Sequence, residues 1–135
     1  MIRVLLAAAL ALTVFPAVAA GLETAPPGGA YKRFGDLVGA PDFLPGLGTL
    51  YVDPKTLPKG PFLAYDRQGR LVSTVYMIPL KDFETHAKIA ALDAPGGAVD
   101  HIDMSYNAGH PGIEEPHYDI VLWHIAKGEE ARLAK

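Results

Sequence analysis

The stretch that decides the fold is Phe62–Ile78, FLAYDRQGRLVSTVYMI. Phe62–Tyr65 is short and apolar. Asp66-Arg67-Gln68-Gly69 has the composition of a turn, with Gly at its last position. Arg70–Ile78 then carries Val72, Thr74, Val75, Tyr76 and Ile78, residue types that suit a pleated surface. The segment reads as a β-hairpin. A short strand at Thr49–Val52 precedes it, ahead of Asp53-Pro54.

On the C-terminal side, Pro79 ends the hairpin and presets a first helical turn. Leu80, Phe83, Ala87 and Ala90 recur at helical spacing, with Glu84 and Lys88 as an i,i+4 pair, and predict an amphipathic helix over Leu80–Leu92. Asp93–Gly97 breaks it. Strands are expected over 98–106 and 117–126, joined by the long loop Asn107–Pro116, and 127–135 reads as a charged tail of one or two helical turns. The order implies an α+β or mostly-β domain over 47–126, with an antiparallel sheet and one helix. Residues 21–46 are rich in Pro and Gly, which excludes long helices and central strands there. Tyr31, Phe34, Leu37, Val38, Phe43 and Leu44 give this segment apolar anchors, so it reads as a wrapping arm.

The chain has 135 residues, 12 Lys+Arg against 15 Asp+Glu, five His and no Cys. Residues 1–20 have the pattern of a secretory signal peptide: Arg3, the apolar run Val4–Phe15, and Ala17-Val18-Ala19 as a cleavage site. That run is too short to span a bilayer. The expectation is a periplasmic or secreted bacterial protein with no membrane span once the leader is removed. About 115 residues would remain, enough for a core without disulfides. A net charge of −3 without any basic stretch argues against nucleic acid. Two serines, Ser73 and Ser105, both outside a G-x-S-x-G context, argue against serine hydrolases.

Histidine and carboxylate chemistry remains. His101-Ile102-Asp103 and His117-Tyr118-Asp119 repeat H-x-D within expected strands, and alternation puts each His on the face of its Asp. If Ile102, Met104 and Tyr106 face the core with Tyr118, Ile120 and Leu122, then His101, Asp103, His117 and Asp119 line the opposite side with Val121 and Trp123. A register slip of one residue reverses this. The loop adds His110, Glu114 and Glu115. Imidazole plus carboxylate suits a divalent transition metal such as zinc, copper, iron or manganese. The expected ligands are His101, His110, His117 and Asp119; Asp103, Glu114 and Glu115 are further ligands or partners that orient the rings. Without Cys, any ion must be bound by nitrogen and oxygen. His86 reads as structural, and His124 falls on the other strand face from His117.

Gly109-His110-Pro111 and Pro116-His117-Tyr118-Asp119 together resemble an exported bacterial family of unassigned function. Its signature is approximately G-H-x-P, a short spacer, then P-H-F-D-F-H-F-Y, in a domain first described in a thermophile protein under an extracytoplasmic sigma factor. The resemblance spans about 47–126, and only the G-H and P-H-x-D pieces are specific. It implies an exported location and gives weight to His110, His117 and Asp119. This chain departs at Val121, where the family has a second His, and Trp123 stands at its aromatic position. Three functions compete. They are a metal- or small-ligand-binding domain, an envelope assembly module with room for a homo-oligomer, and a small enzyme using His117 and Asp119 as an acid–base pair.

Overall fold

A computed structural model describes residues 21–135. The expected leader, residues 1–20, lies outside the described residues. The fold is a six-stranded antiparallel sheet with little helix. Its strands are β1 (Lys32–Arg33), β2 (Thr49–Val52), β3 (Phe62–Tyr65), β4 (Leu71–Pro79), β5 (His101–Asn107) and β6 (His117–Trp123), in the order β1-β2-β3-β4-β6-β5. The short helices α1 (Phe34–Val38) and α2 (Leu80–Glu84) and two 3-10 turns, Pro54–Thr56 and Lys127–Leu133, complete it.

The hairpin forms where the sequence places it. Asp66 Oδ1 accepts from the backbone N–H groups of Gln68 and Arg70, each at 2.9 Å, and Gly69 adopts φ 72°. Only a residue without Cβ takes that conformation freely. β4 is central and buried from Val72 to Pro79, so its sequence is a nearly continuous apolar run. The main core lies on one face: Leu50, Val52, Phe62, Val75, Met77, Val121 and Trp123, capped by Phe34, Ile113 and Leu133. On the other face Tyr51, Leu63 and Tyr65 pack under Leu22, Ala25 and Tyr31. The N-terminal arm thus wraps both faces.

Two expectations need correction. The helix expected over Leu80–Leu92 stops at Glu84. His86 turns left-handed (φ 54°), its N–H bonds Phe83 O, and Ala87 N–H bonds Asp82 O. This is a Schellman termination. Ala87 and Ala90 offer too little apolar area to hold a longer helix against the sheet. Residues 93–98 instead cross the second face, where Thr74 Oγ1 donates to Pro95 O at 2.7 Å and Tyr76 donates to Asp93 O.

The second correction concerns facing. Ile102, Met104 and Tyr106 point to solvent at 56–60 % exposure, while Val121 and Trp123 are in the core. β5 is an edge strand flanked by β6 alone, so its apolar row meets Tyr118, Ile120 and Leu122 on one side and solvent on the other. Its polar row lies along the rim of the core, half-buried at His101 and Asn107 and exposed at Asp103 and Ser105, with His101, Asp103 and Asn107 hydrogen-bonded there.

The tail follows expectation and adds a contact. Residues 127–135 form the expected helical turns, as the 3-10 segment Lys127–Leu133, and Leu133 is buried in the main core. Gly46 N–H bonds Leu133 O, and Arg132 reaches Asp66.

Candidate metal sites along the edge strand

In the β5–β6 ladder His101 faces Trp123, Asp103 faces Val121, Ser105 faces Asp119 and Asn107 faces His117. All eight share one face, so His101, Asp103, His117 and Asp119 do line the same side. That side is the core face. His101 and His117 lie six register positions apart, about 20 Å at the usual strand rise. One ion cannot join them. The candidate ligands fall into two groups, one at each end of this polar row.

At the first end, Glu130 comes over His101 from the C-terminal 3-10 turn. Donor atoms of His101, Asp103 and Glu130 all lie within 4.8 Å of one another. His101 Nε2 is 2.6 Å from Glu130 Oε1, and Nδ1 is 2.8 Å from Asp100 Oδ1. Trp123 Nε1 donates to Asp103 Oδ2 at 2.9 Å, and its indole stacks under the imidazole at 6.0 Å. The Asp100 carboxylate, joined by that of Glu130 and opposed by partial burial, raises the His101 pKa above its ordinary 6.5. The sequence reading did not include Asp100 or Glu130. Asp100 is adjacent to His101, but Glu130 has no local spacing signal; it arrives through the docking of Leu133.

At the second end sit His110, His117 and Asp119. His117 opens β6 and is fully buried. Its Nδ1 lies 2.7 Å from Glu115 O, and its Nε2 lies 3.3 Å from Asp119 Oδ1. Asn107 Nδ2 donates to Asp119 Oδ2 at 3.0 Å. The His110 ring stands nearly perpendicular to that of His117, with centroids 5.2 Å apart. Backbone bonds in both directions between His110 and Ile113 pin the loop.

Glu115 turns its carboxylate outward to Lys81 at 2.7 Å. Glu114 lines an open cleft of about 400 Å³ with Pro58, Gly112, Ile113 and Glu115. His124 is tied to Thr74 Oγ1 and Ala98 O, each at 2.8 Å. His86 caps α2.

No family model and no curated protein matches the chain. Among solved structures it is similar to the hypothetical protein TTHB210 from Thermus thermophilus, at 45 % identity and a TM-score of 0.63. The match covers 70 % of this chain and 92 % of that one. At that identity, over nearly the whole of the other chain, this protein belongs to the same family as the Thermus thermophilus hypothetical protein TTHB210.

Proposed function

We propose that the chain is an exported, metal-binding domain that holds a divalent transition ion through His101 Nε2, Asp103 and Glu130. The observation that carries this reading is the approach of their donor atoms to within 4.8 Å. Asp100 behind the imidazole and the Trp123 indole behind Asp103 orient two of the three ligands, as metal sites require. The leader-like pattern of residues 1–20 supports export.

One imidazole and two carboxylates suit zinc, iron or manganese better than a thiolate-seeking ion. The ion takes the place of the proton shared between His101 and Glu130, so binding releases a proton and strengthens as pH rises. Calorimetric titration with Zn(II) and Mn(II) tests this. The wild-type protein binds, and Glu130→Gln and His101→Ala lose this site. Unchanged binding in both variants would sink the reading.

A second reading, an assembly module, draws on the exposed row Ile102, Met104 and Tyr106 along an edge strand. Light scattering of wild-type and Met104→Lys protein tests it: equal monomer masses would remove it.

A further inference from the structure

Glu115 O, 2.7 Å from His117 Nδ1, can only accept a hydrogen bond. Nδ1 therefore carries the proton, and in the neutral ring Nε2 presents a lone pair. Asp119 Oδ1 stands 3.3 Å from that lone pair. Both atoms are buried, and neither has a hydrogen-bond partner. Buried acceptors are rarely left this way, and two that face each other need a shared positive partner, a proton or a cation; a proton would draw them to about 2.7–2.9 Å, closer than they stand.

The spacing indicates which kind. Two bonds of about 2.0–2.1 Å meeting at the tetrahedral angle hold their ligand atoms about 3.3–3.4 Å apart. The observed 3.3 Å fits that edge. Both ligands are braced from behind. Asn107 holds Asp119 Oδ2, and Asn107 Oδ1 accepts from Gly109 N–H at 3.0 Å. A Cβ on Gly109 would collide with the Glu114 carbonyl, so glycine lets the loop close and bring His110 over His117. His110 Nδ1 lies 3.1 Å from Pro111 O, which leaves its Nε2 available. The donor atoms of His110, His117 and Asp119 do not all lie within 4.8 Å of one another, so His110 would complete the set only by rotating its side chain away from Pro111 O.

We infer that His117 Nε2 and Asp119 Oδ1, closed by His110, bind a second, tetrahedral divalent ion of the zinc class, with its fourth position left to water. This site is independent of the His101 site, since the two stand at opposite ends of the β5–β6 ladder.

The test is a Zn(II) titration of the full chain with elemental analysis, repeated with Co(II) to read tetrahedral geometry from its visible absorption. Wild-type protein is expected to take two ions and Glu130→Gln one. In the Glu130→Gln background, His110→Ala and Asp119→Asn should weaken the remaining ion at least about 10-fold and remove the cobalt colour. His117 is buried and its loss threatens folding; His110 is half-exposed, so His110→Ala carries the test, with circular dichroism checking the fold. If Glu130→Gln binds no ion, or His110→Ala and Asp119→Asn leave its affinity unchanged, the inference is overturned. One wild-type ion, lost in Glu130→Gln and kept in His110→Ala, overturns this site and leaves the first. The opposite pattern overturns the first and supports this one.

Discussion

Trp123 both supports and restrains the first donor set: its Nε1–H holds Asp103 Oδ2 at 2.9 Å while its ring lies under His101. Trp123→Phe keeps much of the packing and removes the donor. Zinc affinity at the His101 site should fall about 10-fold. The lost hydrogen bond should lower stability by about 1 kcal/mol. Calorimetry and urea denaturation measure the two effects separately.

His101 predicts a pH dependence with a definite sign. Its folded pKa is raised above 6.5, so its stabilising effect is complete below the unfolded value and is lost as pH rises through the folded one. Without added metal, Glu130→Gln and wild-type protein should therefore converge in stability as the pH climbs beyond that range. A gap that widens with pH would contradict the assignment.

Asp66 predicts the reverse. Burial pushes its carboxyl up, but hydrogen bonds and charge from Arg70, aided by the Gln68 amide, outweigh burial and hold it below 3.8. Its contribution is present above the unfolded pKa and is lost as pH falls through the folded one. Asp66→Asn should cost about 2 kcal/mol at neutral pH. Acid titration of both proteins should show that difference shrinking below the ordinary carboxylate pKa.

The facing of the edge strand is also open to measurement. Met104→Lys, on the exposed side, should change stability by no more than about 0.5 kcal/mol. Ile113→Ala, at 4 % exposure in the loop beside His110, should cost about 2–4 kcal/mol. Similar costs for both would mean that the apolar row of β5 is covered.

The hairpin and the strand pair were legible because turn chemistry and β-branched runs are local signals. That His101 shares a face with Asp103, and His117 with Asp119, was legible from alternation; that the two pairs share a side depended on the β5–β6 register. Which side they face was not legible: β6 carries apolar residues on both faces, with Tyr118, Ile120 and Leu122 on one and Val121 and Trp123 on the other. The choice fell to tertiary packing. An edge strand inverts the usual inference, because an apolar side chain there has a neighbouring strand on one side only, whereas a polar one near the core can find Trp123 Nε1 or Glu130. Helix length failed for a comparable reason, since the spacing of Leu80, Phe83, Ala87 and Ala90 says nothing of the left-handed turn at His86. Glu130 was invisible because it lies 29 positions from His101 and is brought there by the docking of the C-terminal turn.

Phe34 meets the His110 ring edge-on at 6.1 Å, and Val38 fills the space that a side chain on Gly112 would need. The loop bearing His110 is thus fastened by α1, from the other end of the chain. Contacts of such long sequence separation tend to close late, whereas the β3–β4 and β5–β6 hairpins need only local pairing. Ion uptake at the second donor set would therefore act as a clock for the last stage of folding. A chain stalled before α1 docks would show the spectrum of a sheet and an unmet appetite for zinc.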